Sequence, residues 1–249
     1  MGCLLQTLRV GLIQHCLPPV TYTIMDSFPI PLCQSIRNHR AKILRPVANI
    51  SYNATKRQWF YGLKGHFQVT NQGIVVAYSI STASIHDIRL VPELIDQYAC
   101  PHVLADVGYL SQSLKTYLKQ RHIDFWTPKR RNMVQSELDN TLLKRQRRKI
   151  ETLFSEWQIL FKVEHNRGRC RRGFKSRLEQ LLFVDTWKRI NQHNGYFYII
   201  RRLRFCYFRG SMNNEKQKIR VSYIGKCNFN CHIYTNKRGF CRYYPVKTN

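Results

Sequence analysis

Residues 103–110 read "VLADVGYL", a strand-like apolar run with one carboxylate, Asp106, inside it. Burying an ionised carboxylate without a partner costs several kcal/mol or more. Asp106 therefore needs a counter-charge, a hydrogen-bond cradle or a metal ion. The chain around it offers far more bases than acids. Its 249 residues carry 41 Lys and Arg against 14 Asp and Glu, a net charge of +27. A domain this basic repels itself unless a polyanion neutralises it, and nucleic acid is the usual one. The bland alternatives are a membrane-surface protein or a ribosome-like RNA binder. At 43% hydrophobic and 12% aromatic, the chain can bury a core, which argues against wholesale disorder.

Working outward, 102–106 reads as a strand with Asp106 at its end. Ser111 then caps a helix whose apolar stripe is Leu114, Tyr117 and Leu118, and "DFWTP" (124–128) gives one more short strand. Upstream, "TYTIMD" (21–26) is a strand expected to stop at Pro29 and Pro31. "WFYGLKGHFQVT" (59–70) alternates strictly. Tyr61, Leu63, Gly65, Phe67 and Val69 lie on one face, Lys64, His66, Gln68 and Thr70 on the other, as expected of a half-buried strand. "NQG" (71–73) turns the chain into a hairpin partner at 74–80. Ser84 and Asp87 stand at capping-box spacing and predict a helix from about 85. Leu143, Ile150, Leu153, Phe154, Trp157, Leu160 and Phe161 predict a long helix over about 137–162. The whole describes an α/β domain.

Because acids are rare, their positions carry information. Asp26 is the only Asp or Glu in the first 86 residues and closes a strand, as Asp106 does; Glu151 borders the apolar stripe of the long helix. Two strand-end Asp and a helix Glu can meet at the carboxyl edge of an α/β sheet, where ligands bind. Hard oxygen ligands so clustered suit Mg²⁺ or Mn²⁺, and a two-metal site beside a basic surface suits phosphodiester chemistry. Taken singly, each Asp is equally a turn former or helix cap. Glu151, among Lys144, Arg145, Arg147, Arg148 and Lys149, is equally an ordinary ion-pairing residue.

The stretches "TYTIMDSFPIPLC", "FYGLKGHFQVT", "SIHD", "VLADVGYLSQSLKTYLKQRHIDFWTPKRRN" and "KRQRRKIETLFSEW" resemble the catalytic domain of bacterial insertion-sequence transposases of the Asp-Asp-Glu type, over about 21–183. The resemblance implies an RNase H-like mixed sheet flanked by helices, with an irregular C-terminal extension. It matches Asp26, Asp106 and Glu151 to the family's metal-binding catalytic acids. Eighty residues separate the first two and forty-five the last two, a wide then a shorter interval as in the family. It also implies hydrolysis at a transposon end and strand transfer into target DNA, with both DNAs as partners, and it allows a homodimer on DNA. Arg147 stands at the family's Arg position near the Glu, but Lys144 replaces its Tyr and Gln158 its Lys. His86-Asp87 matches a recurring family pair that is equally a helix start, and it is left outside the catalytic set.

The expected organisation is an N-terminal remnant (1–20), the catalytic domain (21–185) and a basic, aromatic-rich tail (186–249). Only 25 residues precede Asp26, and the tail matches nothing in the family. Both departures predict a truncated or frame-disrupted copy. The tail is either a small β-rich extension or sequence not selected as part of the domain.

The densest basic runs nominate Lys129, Arg130, Arg131, Lys144, Arg147, Arg148, Arg167, Arg169, Arg171 and Arg172 as DNA-backbone contacts, with a solvated helix face as the alternative. Trp126 either stacks on a flipped base or sits in the core. Cys227, Cys231, His232 and Cys241 lack the two close pairs of a zinc site. No apolar run approaches the roughly 20 residues needed to span a bilayer. Nine scattered cysteines fit a reducing compartment. The expected location is the bacterial cytoplasm, in association with the nucleoid. A non-enzymatic nucleic-acid binder and a related nuclease or resolvase are the competing readings.

Overall fold

The computed structural model describes residues 2–54, 56–128, 137–166, 168–193 and the strands 218–222, 230–235 and 241–245; it describes side chains within 4–54, 56–128, 145–164, 166 and 168–193. The chain divides into two compact units, Met1–Phe197 and Tyr198–Asn249.

The first unit begins with helix α1 (Gly2–Cys16), followed by strands β1 (Thr23–Pro31), β2 (Asn49–Asn53), β3 (Gln58–Thr70) and β4 (Val75–Thr82). Helix α2 (Val91–Gln97), β5 (His102–Ala105), α3 (Gln112–Gln120) and β6 (Asp124–Trp126) come next, then the long helices α4 (Glu137–Leu160) and α5 (Arg171–His193). The sheet order is β2-β3-β1-β5-β6, with β4 also on β3. β3 runs antiparallel to β1, β2 and β4, whereas β1, β5 and β6 are parallel. An antiparallel meander joined to two parallel strands, with helices on both faces, is the mixed α/β, RNase H-like arrangement.

Alternation along β1 feeds two cores. Ile24, Phe28 and Ile30 pack with Phe67 and Val69 of β3 against Ile150, Leu153, Phe154 and Trp157 of α4 and Leu178 and Leu182 of α5. Met25 points the other way, into a core with Ala105, Leu94 and Ile95 of α2 and Leu114 and Leu118 of α3. β3 is therefore covered on both faces. Its polar side, expected to meet solvent, has His66, Gln68 and Thr70 fully buried.

Several local expectations needed correction. β1 does not stop at Pro29. Leu32 N–H donates to the Tyr61 carbonyl, which puts the amides of even-numbered β1 residues toward β3. The positions of Pro29 and Pro31 fall on the other edge, where pairing with β5 has ended at Met25, so no ladder bond is lost. Ser84 caps nothing; it pairs with Asn49, a 3₁₀ turn spans Asp87–Leu90, and α2 starts at Val91. Trp126 is not core but 44% exposed, stacked on His102 at 5.1 Å. Ser111 does cap α3, accepting from the Leu114 amide.

The stretch expected as an N-terminal remnant forms α1, which packs into this unit: Ile13 joins Ile74, Val76 of β4 and Ile190 of α5 in a third cluster. Arg9 meets Glu179 at 3.1 Å, both buried. α5 continues past residue 185 to His193. The second unit is not wholly irregular. Its strands β7 (Lys218–Ser222), β8 (Asn230–Thr235) and β9 (Cys241–Pro245) form an antiparallel sheet in that order. There Cys231 is registered opposite Pro245 and Cys241 opposite Thr235, and Cys227 lies outside the described residues.

Candidate active site

The ladder between β1 and β5 runs Thr23–Val103, Ile24–Leu104, Met25–Ala105 and ends there. Asp26 is the next residue of β1, inside the strand and not at its end as expected, and Asp106 is the first residue after β5. Both carboxylates turn back onto the backbone. Asp26 accepts from the Ser27 amide at 2.8 Å, and Asp106 accepts from the Val107 amide at 2.6 Å, capping a 3₁₀ turn over Val107–Tyr109. Neither bond settles the negative charge, which needs a cation.

That cation is the Arg147 guanidinium. α4 lies on the sheet with Ile150 fully buried, which leaves Glu151 at the border of the buried face and 55% exposed. Arg147, one turn earlier, reaches under it. Its Nη1 lies 2.7 Å from Asp106, and its Nη2 lies 3.6 Å from Asp26 and 3.3 Å from Glu151. One planar group thus touches an acid from β1, one from the end of β5 and one from α4. Among the described residues, no three His, Cys, Asp or Glu side chains stand close enough to hold one ion as they are placed. The carboxylates are gathered on the guanidinium instead. Their chemistry nevertheless fits a hard divalent cation: three acids from three elements, already converging on one positive group.

Burial pushes the Asp26 carboxyl up to about 6, against the pull of Arg147 and the Ser27 amide, with the neighbouring Asp106 and Asp87 adding to the rise. The 3.6 Å approach of Arg147 is too long to offset the loss of water.

A second acid system adjoins the first. Asp87 accepts from Ser27 Oγ at 3.0 Å and from Lys64 Nζ at 3.0 Å, with His66 Nδ1 at 3.7 Å. Burial lowers His66 to about 4, so at neutral pH Lys64 is the cation facing Asp87. Ser27 therefore links the two systems, its amide on Asp26 and its hydroxyl on Asp87. The buried Tyr109 hydroxyl lies in the field of Asp87, Asp26 and Asp106 and is raised well above its ordinary value, first by burial. Sequence reasoning left Asp87, Lys64 and Ser27 out of the site. The available signals were the His86-Asp87 pair, set aside as a helix start, and the i, i+2 pair Lys64 and His66 on a β3 face taken to be solvated.

Arg147 was nominated as a DNA contact, yet its guanidinium is engaged by the three acids. Arg148, Arg169, Arg171 and Arg172 are exposed. Lys129, Arg130, Arg131, Arg167 and the Lys144 side chain lie outside the described residues.

A mixed sheet gathers three acids, from β1, the end of β5 and α4, on one guanidinium, and family comparison says which class of protein carries this arrangement. The model of the transposase DDE domain family matches residues 19–171, a span holding Asp26, Asp106 and Glu151. The chain belongs to that family. No curated protein matches it. Among solved structures, it is similar to a chain of the simian T-cell lymphotropic virus intasome in complex with PP2A regulatory subunit B56 gamma. That likeness has 12% identity and a TM-score of 0.30, and covers 98% of this chain and 96% of that one. Among the described residues, no helix is long and apolar enough to cross a membrane.

Proposed function

We propose that this chain cuts and joins DNA with divalent metal bound to Asp26, Asp106 and Glu151, hydrolysing the phosphodiester at a transposon end and transferring the freed strand to target DNA. The observation that carries the reading is the gathering of all three acids on the single Arg147 guanidinium. Mg²⁺ or Mn²⁺ held by these oxygens would activate the attacking oxygen and neutralise the leaving one.

The chain's own residues supply position and field. The β1–β5 ladder ends one residue before both acids, the β1–β3 ladder holds Asp26, and the cap on the 3₁₀ turn holds Asp106, so the two stand side by side. Glu151 comes from a helix face and completes the set from the exposed side. Lys64 compensates Asp87, which keeps a fourth negative charge from adding fully to the cluster. Arg147 holds the acids together while they carry no ion, and, once released, stands one helical turn from Glu151 beside the DNA to be cut. Exposed Arg148, Arg169, Arg171 and Arg172 support backbone binding. A homodimer on DNA and residence at the bacterial nucleoid belong to the same reading.

The competing reading is a basic DNA binder without catalysis, favoured by the same neutralisation of the triad by Arg147. Incubating the protein with supercoiled DNA and Mg²⁺ or Mn²⁺ separates the two. Nicking that disappears in Asp106→Asn, with unchanged thermal unfolding, is the expected result. Equal nicking by the variant, or none by the parent, refutes the enzyme reading.

A further inference from the structure

Away from the triad, the start of β3 carries an aromatic and basic surface that the reading above does not use. Tyr52 of β2 and Trp59 of β3 are cross-strand partners, with ring centroids 5.3 Å apart and planes tilted by 59°. They stay 49% and 60% exposed, unusual for two large rings that could have packed inward. Beside them lies a cavity of about 460 Å³ lined by Ser35, Asn38, His39, Ile50, Gln58 and Trp59. A second cavity of about 470 Å³ shares Ser35 and Gln58 with it and extends to Glu164, whose charge Lys56 meets, and to Asn166 and Arg169. The shared residues make the two cavities neighbours, and we treat them as one groove.

The groove is built rather than incidental. A 3₁₀ turn over Ser35–Arg40 makes one wall, and buried Asn38 ties it to β3. Its Nδ2 donates to the Trp59 carbonyl at 2.9 Å, and its Oδ1 accepts from the Tyr61 amide at 3.0 Å. The wall and the Trp59 backbone are thus held at fixed spacing, while the rings remain free to accept a flat partner.

The charge around the groove selects that partner. Residues 27–86 contain no Asp or Glu. Arg37, Arg40, Lys42 and Arg57 are exposed there, and among the described residues none of them has a carboxylate partner, whereas Lys56 pairs with Glu164 at 2.7 Å. Flat aromatic faces beside unpaired cations suit unstacked bases joined by phosphates. A protein partner would need carboxylates for the cations and apolar side chains for the rings. A single-stranded nucleic acid supplies both groups in every residue.

Register sets the distance from the chemistry. Asp26 is paired with Phe67, eight residues along β3 from Trp59, or roughly 26 Å at ~3.3 Å per residue. At ~3.4 Å per nucleotide that is about eight nucleotides of stacked strand. We propose that the groove between the 3₁₀ turn and the β2–β3 tip is a single-strand DNA site, with bases stacking on Trp59 and Tyr52 and phosphates on Arg37, Arg40 and Arg57. It rests on DNA being the partner and is independent of whether the triad is active.

The test uses the full chain and two labelled probes, an oligothymidine of about 12 nucleotides, within the range of a single-strand site, and a duplex of mixed sequence. Trp59→Ala is expected to weaken oligothymidine binding about 5- to 150-fold, the worth of one stacked base. Duplex affinity should change less than about twofold, since phosphate contacts dominate there. Trp59→Phe should keep most of the affinity, and Arg37→Ala with Arg57→Ala should flatten its salt dependence. Trp59 is exposed, so unchanged thermal unfolding of the alanine variant is expected and checks that it folds. Oligothymidine binding untouched by Trp59→Ala and Tyr52→Ala, or lost only in Trp126→Ala, overturns the site. Duplex binding without any oligothymidine binding also overturns it and leaves the DNA reading standing. Failure to bind either probe removes both.

Discussion

Replacing Asp26 by Asn should stabilise the metal-free protein, and by an amount that depends on pH in a defined direction. The folded chain holds the Asp26 carboxyl at about 6, mainly through burial, against an ordinary value of 3.8. The folded state therefore binds this proton more tightly than the unfolded state does. Below about pH 3.8 both states are protonated and burial carries no ionic penalty. As pH rises from about 4 to about 6 the unfolded chain ionises first, so stability falls, and above about 6 the loss is complete. A gap of about two pKa units at ~1.4 kcal/mol each makes the loss about 3 kcal/mol. Asn has the same shape, can still accept from the Ser27 amide, and cannot ionise. Its advantage over the parent should therefore grow from near zero at pH 4 to about 3 kcal/mol at pH 7.5. Urea unfolding of both proteins in a chelator, at pH 4, 5.5 and 7.5, measures it. An advantage that is flat with pH, or an Asn variant that loses ground as pH rises, would show that Arg147 outweighs burial and that the Asp26 carboxyl is not raised.

Two further outcomes follow from the same charges. Arg147→Met removes the cation that a metal ion must displace, so the rise in unfolding temperature on adding Mn²⁺ should be larger than in the parent; an unchanged rise would mean that Arg147 does not compete for the acids. In the same unit, Arg9→Met leaves Glu179 buried without its guanidinium partner, though still accepting from the Tyr78 hydroxyl, at a cost of about 3–5 kcal/mol in urea unfolding. Arg9→Met combined with Glu179→Gln should recover much of that loss, and a double variant no better than the single would refute the buried-charge account.

Local signals in the sequence were read correctly where the cause is local. Strict alternation over 59–70 and the "NQG" turn mark the β3–β4 hairpin, and Gly73 does adopt the positive φ of 85° that the turn needs. Ser111 caps α3 because a hydroxyl three residues before an amide is enough. The scarcity of acids nominated Asp26, Asp106 and Glu151, which the fold gathers around Arg147. Misreadings occurred where the deciding neighbour is distant. Pro29 and Pro31 look like strand breakers until β5 is seen to leave that edge of β1 unpaired. His66 and Gln68 look solvated until the layer behind β3 is in place.

The sequence by itself marked β1, the β3–β4 hairpin, β5, α3, β6 and α4 in their order and nominated the three acids, because hydrophobic period, capping and residue type act over a few positions; α1, β2 and α5 went unread. Only the tertiary structure decided what those acids touch. Asp26 and Asp106 are eighty residues apart in the chain, yet parallel pairing of β1 with β5 sets them side by side. The face that α4 turns to the sheet then delivers Arg147 into the centre of the three carboxylates. Ser27, Asp87 and Lys64 join the same neighbourhood through the antiparallel register of β1 on β3. A counter-charge is set by distance in space, and in a chain with 41 bases no local rule says which one will arrive.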